Sequence, residues 1–390
     1  MISRRKIMKI TNDVKYIGVN DYKIDLFEGK YVVPNGMAYN SYLIVDEKIA
    51  VLDTVDASFG EEWLRNIENE IGERSPDYLI VHHMEPDHSS NIKSFAEKYP
   101  NATVVASDKA FVYMKQFYGD DYADRRIVVG EGDTLSLGKH TLSFFTAPMV
   151  HWPEVVVSYD SFDKIVFSAD AFGKFGALDA KEEWADEARR YYFGIVGKYG
   201  AQAQRLLLKL GGLDVKIICS LHGPVLCDNL DKYIELYKTW TSYKPEDEGV
   251  FIAYTSVYGN TKKAALLLYD ELKALGVKVK IADLARSDIS KAIEDSFRFS
   301  KLVLATTTYN AEIFPFMREL ICELRERGFQ NRKIGIIENG SWAPVAAKTI
   351  KSMFESSKNI TFAENTVTVR SAMSEENKQE IKALALELSK

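Results

Sequence analysis

Cysteine is scarce in this chain. Of 390 residues only three are cysteine, Cys219, Cys227 and Cys322, and no two form a C-x-x-C pair. So sparse and odd a set supports no disulfide framework and fits a reducing compartment, so a cytoplasmic protein is expected. It also excludes an iron site held by four thiolates of this chain. Long apolar runs are missing as well: none approaches the roughly 18 residues that a membrane-spanning helix needs. The basic start, Met1-Ile2-Ser3-Arg4-Arg5-Lys6, has no apolar stretch behind it and reads as a solvated tail rather than an export signal. Positive charge is not in excess. The formal net charge is -6, with both signs spread along the chain, which argues against a nucleic-acid partner. Repeats and low-complexity tracts are absent. What remains is a globular protein long enough for two or three domains.

Histidine is rare too, at six residues, but its placement is uneven. The stretch His82-His83-Met84-Glu85-Pro86-Asp87-His88 follows the apolar run Tyr78-Leu79-Ile80-Val81, which reads as a buried strand. Pro86 is expected to keep the stretch out of helix, and an extended backbone would project His83, Glu85 and Asp87 to one side. Ser89-Ser90-Asn91 offers caps for the next helix. Three further apolar strands end in a metal-capable residue. Residues 141–146 run towards His151, 164–169 into Asp170, and 215–221 into His222. A protein interior does not tolerate several unpaired ionisable groups together unless something compensates them, and a metal does so. His82 and His140 lack such company and read as hydrogen-bonded packing residues, His82 being close enough to steady a neighbouring ligand.

The residue types narrow the metal. His83, Glu85, Asp87, His88, His151, Asp170 and His222 offer four imidazoles and three carboxylates, with no thiolate. That exceeds one tetrahedral zinc and suits two ions sharing a bridge, for which Asp170, arriving alone from another strand, is the candidate. A carboxylate-rich set favours non-haem iron, with manganese and zinc chemically open.

The first part of the chain reads as short strands, at 13–18, 22–27, 41–45 and 48–53, followed by interspersed helices at 59–71, 90–99 and 108–118. Residues 182–210 read as largely helical. The charged, Pro- and Gly-bounded stretch 243–249 is the expected boundary, giving domains 1–248 and 249–390. Beyond it strands and helices alternate regularly, with strands at 250–254, 277–283, 301–305, 333–337 and 360–369. That pattern is a doubly wound parallel sheet. Thr255-Ser256-Val257-Tyr258-Gly259-Asn260-Thr261 fills its first strand-to-helix turn, where helix N–H groups and hydroxyls suit a phosphate. Thr308-Tyr309-Asn310-Ala311 and Asn339-Gly340-Ser341-Trp342 follow the third and fourth strands, at the sheet end where such folds bind ligands. Tyr309 and Trp342 could flank a flat ring. The G-x-G-x-x-G fingerprint is absent from these turns, which argues against NAD and FAD.

His83-x-Glu85-x-Asp87-His88, with His151 and Asp170 following at this spacing, resembles the diiron signature of flavodiiron proteins. The 255–261 turn, ending Gly-Asn-Thr, resembles the FMN-phosphate loop of flavodoxins. Together the resemblance spans essentially the whole chain. It implies an α+β metallo-β-lactamase-like αβ/βα sandwich followed by an α/β flavodoxin-like sheet. It further implies one iron on His83, Glu85 and His151, a second on Asp87, His88 and His222, Asp170 between them, and one FMN. Hydrolases of the same fold usually have histidine where Glu85 stands. The implied activity is reduction of dioxygen to water, of nitric oxide to nitrous oxide, or of both, with electrons passing through FMN. No rubredoxin-like extension follows Lys390, so the resemblance implies a separate donor, rubredoxin or another reduced carrier such as a deazaflavin. It also implies a head-to-tail homodimer, or a dimer of these, with one subunit's FMN beside the other's irons. One departure is visible: residues 171–221 form a shorter connection than the family's, trimmed around 172–183, which is expected to alter access to the pocket rather than ligation. The rival readings are a binuclear hydrolase with an accessory flavin domain, and an electron carrier or sensor whose iron site is vestigial.

Overall fold

A computed structural model describes residues 9–390; the basic start lies outside the described residues. The chain forms two compact units. One extends up to Tyr192 and includes Ala201–Tyr237; the other comprises Phe193–Gly200 and Lys238–Lys390.

The first unit is built on two sheets. One runs in the order Val14–Tyr16, Tyr42–Val45, Ile49–Leu52, Tyr78–Ile80, Thr103–Ala106, Arg126–Val128. Its first three strands pair antiparallel and the rest parallel. The other runs Thr134–Ser136, Thr141–Thr146, Val156–Asp160, Ile165–Phe167, Ile217–Cys219. A single apolar cluster takes side chains from both sheets, among them Ile44, Leu52, Ile80, Val105, Leu142, Phe144, Ile165 and Phe167. Two sheets that share one core in this way form a sandwich. The strands Tyr78–Ile80, Ile165–Phe167 and Ile217–Cys219 all run parallel to a neighbour, and their carboxyl ends deliver the His83 stretch, Asp170 and His222.

Several local expectations change. Residues 22–27 are not one strand: the chain turns after Val19–Asp21, where Asp21 Oδ1 accepts the N–H groups of Lys23 and Ile24, and pairs again only at Leu26–Phe27. Pro86 starts a helix instead of preventing one. Pro86–Ser89 is a single turn with the proline at its first position, where a missing N–H costs nothing. The extended projection of His83, Glu85 and Asp87 therefore stops at Glu85. Asn91 precedes the helix Ile92–Lys98 but makes no side-chain cap; its amide donates instead to the carbonyls of Val55 and Asp56. The strand Val156–Asp160 gave no signal, because all its residues are buried and no polar alternation marks it.

The second unit carries a parallel sheet in the order Val279–Asp283, Asp247–Tyr254, Phe299–Tyr309, Arg332–Asn339, Ile360–Val369. In sequence terms that is 2-1-3-4-5, a doubly wound arrangement. Val250, Ile252, Val303 and Ile337 face the helices Asn260–Ala274 and Glu375–Leu388, which contribute Ala264, Leu268, Leu272, Ile381 and Leu384. The alternate residues Phe251, Leu302 and Leu304 point the other way and are equally buried, so both faces are covered. The strands reach further than their apolar runs suggest. Phe299–Tyr309 continues past Ala305 and turns back on itself through an antiparallel pairing with Glu312–Ile313.

Candidate functional site

Four strand exits of the first unit converge on one buried spot. His83 and Glu85 lie within reach of His151 and Asp170, and Asp87 and His88 lie within reach of His222. In the first group His83 Nε2 is 3.3 Å from Glu85 Oε2 and 3.2 Å from His151 Nε2. In the second, His88 Nε2 is 3.0 Å from His222 Nε2, and each of these is 3.3 Å from Asp87 Oδ2. Asp170 joins them: Oδ2 lies 3.0 Å from His151 and 3.5 Å from His83, while Oδ1 lies 3.4 Å from His88 and 3.9 Å from His222. One carboxylate thus turns one oxygen to each group.

The backbone works to achieve this. Ala169, just before Asp170, and Met149, two residues before His151, have φ of 50° and 66°. Non-glycine residues rarely adopt this region, and such strain concentrates at functional sites. The short helix Pro86–Ser89 separates Asp87 and His88 from Glu85, which is how one heptapeptide serves both groups.

The electrostatics are those of carboxylates and imidazoles forced together. Burial opposes the charge on Asp170, but His83, His151 and His88 hold its carboxyl well below the usual range. Burial likewise opposes charge on His151, yet the adjacent carboxylates of Asp170 and Glu85 lift its imidazole to about 9. Despite this, both oxygens of Asp87 and both of Asp170 are buried without a geometrically sound hydrogen bond among the described residues. Buried carboxylate oxygens left this way are costly unless a cation completes them. Two divalent ions with oxygen and nitrogen ligands would do so, and the four imidazoles aim their Nε2 atoms at the same place.

The other two histidines are accounted for. His82 Nδ1 meets Asp53 at 2.6 Å and its Nε2 meets Ser158 at 2.8 Å. His140 meets Asp160 at 2.9 Å; Asp13 and Asp163 lie near it too, but Asp13 pairs with Lys139, and Asp163 accepts from Thr11. Three residues near the centre carried no sequence signal. Glu154 accepts a hydrogen bond from His83 Nδ1 at 2.7 Å. Glu28, on a tight turn with φ of 50°, turns its carboxyl in towards Glu85, where desolvation and the Glu85 charge push it up to about 8. Tyr191 is buried 5.4 Å from the His222 ring, and burial together with Asp170 and Glu85 drives its phenol well above 10. All three are far in sequence from the groups they approach, so no local pattern marks them.

The connection after Asp170 is tied down. Lys174 is buried and pairs with Glu182 at 2.7 Å; Asn35 donates to the same carboxylate at 2.9 Å, and the N–H of Ala177 donates to the carbonyl of Asn35. The segment therefore lies fixed against the turn around residue 35.

In the second unit, the three loops marked in the sequence meet around a cavity of about 510 Å3. Ser256, Val257, Tyr258, Asn260 and Thr261 line it from the first turn, Thr308, Tyr309, Asn310 and Ala311 from the second, and Asn339, Gly340, Ser341 and Trp342 from the third. Thr307, Ala343 and Ser371 join them, unmarked beforehand. Thr255 lies behind the cavity wall, buried and bonded through its hydroxyl to Thr306 at 2.7 Å, and Gly259 shapes the turn with φ of 88° before the helix Asn260–Ala274. No acidic side chain sits in the first turn of that helix, so its free N–H groups face the cavity without a competing anion. Tyr258 and Trp342 stand 93% and 81% exposed at the rim, a wasteful disposition of aromatic surface unless a ring covers it.

The family model described as ODP family beta lactamase matches residues 37–223. An uncharacterised protein of Methanocaldococcus jannaschii is 30% identical over 95% of both chains. The anaerobic nitric oxide reductase flavorubredoxin of Salmonella paratyphi A is 28% identical over 89% of this chain and 74% of its own. Among solved structures, the rubredoxin oxygen:oxidoreductase of Desulfovibrio gigas superposes with a TM-score of 0.90 over 98% of each chain at 26% identity. The flavodiiron protein of Giardia intestinalis does so with 0.89 over 100% of this chain and 97% of its own, again at 26% identity.

Proposed function

From the premise that this chain belongs to the flavodiiron protein family, we propose that it reduces dioxygen to water, nitric oxide to nitrous oxide, or both, with FMN and a non-haem iron pair as its cofactors. The observation that carries the reading is the position of Asp170, one oxygen towards each of two groups that both consist of two imidazoles and a carboxylate. His83, Glu85 and His151 would hold one iron and Asp87, His88 and His222 the other, with Asp170 placed between the two groups. The 256–261 turn would hold the phosphate of FMN, and Tyr309, Asn310 and Trp342 would hold its ring. The first compact unit is the proposed iron domain and the second the proposed flavin domain; the second takes in Phe193–Gly200 and begins at Lys238, ahead of the expected boundary at 248.

When bound, the irons supply one-electron carriers with coordination positions left for a gas, and FMN supplies the electrons. The chain does the rest. The mixed imidazole and carboxylate set favours iron over zinc, and Glu85 in particular sets the centre apart from an all-nitrogen hydrolytic site. That, with relatives named for oxygen and nitric oxide reduction, favours reductase over hydrolase. Tyr191 keeps its phenolic proton at Oη, held there by burial and by the carboxylates of Asp170 and Glu85. The electron donor is a rubredoxin or another reduced carrier. No helix among the described residues is long and apolar enough to cross a membrane; a cytoplasmic location fits the three free cysteines. A head-to-tail homodimer is the proposed assembly.

The test is the substitution Asp170→Ala in the holoenzyme. Iron content should fall from two per chain to one or none and gas consumption should be lost, while FMN stays bound. Retention of both irons and of turnover would overturn the assignment; two zinc ions in the wild-type protein would turn the reading towards a hydrolase.

A further inference from the structure

The two groups of the centre offer identical ligand types, but what stands behind their imidazoles differs. His83 Nδ1 lies 2.7 Å from Glu154 Oε1, and the same oxygen accepts the backbone N–H of Met84 at 2.9 Å. An oxygen already accepting from an amide is an acceptor for the ring too, so Nδ1 of His83 carries the hydrogen and Nε2 keeps its lone pair. Nε2 is the atom that faces Glu85, His151 and Asp170. Glu154 Oε2 is buried with no hydrogen-bond partner among the described residues, so its charge is not drawn off elsewhere. In the other group, His222 Nδ1 meets only the neutral carbonyl of Ala38, at 2.7 Å, and His88 Nδ1 is buried with no partner among the described residues.

A carboxylate behind an imidazole fixes its orientation and makes it a stronger donor; a carbonyl does so less. We propose that Glu154 is a positioning residue that presents Nε2 of His83 to the metal and makes the His83–Glu85–His151 side the more electron-rich half of the centre. The inference rests on the diiron reading and adds to it an inequality that the ligand types alone do not contain. Of the two irons, the one on this side is then the harder to reduce, so the first electron from the reduced flavin settles on the Asp87–His88–His222 side.

Glu154→Gln tests this, since the amide keeps the shape and an acceptor for Met84 N–H but removes the charge. In wild-type protein loaded with zinc alone, nitrogen-15 NMR should show His83 coordinated through Nε2, with its Nδ1 proton far downfield; the substitution should move that proton upfield and leave His222 in place. In the iron-loaded holoenzyme, an EPR-monitored redox titration should show the two one-electron steps of the iron pair drawn together by the substitution while the FMN steps stay put. Iron affinity should fall roughly 10- to 100-fold. Coordination of His83 through Nδ1 in the wild type overturns the proposal whether or not the variant folds, and so does an unchanged separation of the two steps in a folded variant. A wild-type protein that takes up no iron pair would instead overturn the diiron reading beneath it.

Discussion

Asp170 and His140 show what a single buried side chain can and cannot be made to do. Both sit at 0% exposure among ionisable neighbours. Asp170 has oxygens that the protein leaves incomplete, whereas His140 has its carboxylate partner in place, Asp160 at 2.9 Å. His140 is therefore a stability residue with a definite pH signature. Burial pushes its imidazole down, but Asp160 and Asp13 more than compensate and raise it above 6.5. A folded-state value above the unfolded one means that the stabilisation is fully present below pH 6.5 and fades as pH rises through the raised value. His140→Leu should cost roughly 1–3 kcal/mol, the price of leaving Asp160 short of a partner. The loss should be larger at about pH 6 than at about pH 9 in urea unfolding; an equal loss at both would show a neutral ring. Glu154, Glu28 and Tyr191 mark the limit of sequence reading at this scale, because each matters through a contact with a residue distant in the chain.

At the scale of elements, strand exits and the turns behind them carry the function. The strand Tyr78–Ile80 was legible from its apolar run, and so was the density of ligands after it. The helical turn Pro86–Ser89 was not, since proline was read as a breaker and its tolerance at a first helical position depends on where the helix starts. In the second unit, the turn before Asn260–Ala274 depends on Gly259, whose φ of 88° is costly for any other residue. A Cβ there would meet nothing within 4 Å, so Gly259→Ala strains the backbone without a clash. The left-handed conformation costs about 1–2 kcal/mol for an L-residue, so FMN affinity should fall roughly tenfold, measured by fluorescence titration of the flavin-free protein. Unaltered affinity would show that the turn does not hold the phosphate.

For the whole molecule, the head-to-tail proposal has a direct consequence. Each working pair would take its irons from one subunit and its flavin from the other. Mixing Asp170→Ala subunits, which keep FMN, with subunits that keep iron but have lost FMN should restore activity. Random reassociation puts one competent pair in half of the dimers, so roughly a quarter of wild-type turnover is expected. Activity that stays at zero after subunit exchange would argue for flavin and irons working within one chain.

The sequence by itself determined the doubly wound sheet of the second unit, because hydrophobic periodicity and turn chemistry are local and survive without coordinates; for the first unit they showed only short strands with interspersed helices, and the sandwich was implied by the resemblance. The sequence also determined the ligand types, since seven imidazoles and carboxylates at strand exits have few uses other than metal. How those seven divide is implied by the resemblance and not by the residue types; the tertiary structure supplies the physical reason, because the helical turn Pro86–Ser89 parts Asp87 and His88 from His83 and Glu85. Only the tertiary structure revealed Glu154 behind His83, for a hydrogen bond between residues 71 apart is made by packing, not by pattern.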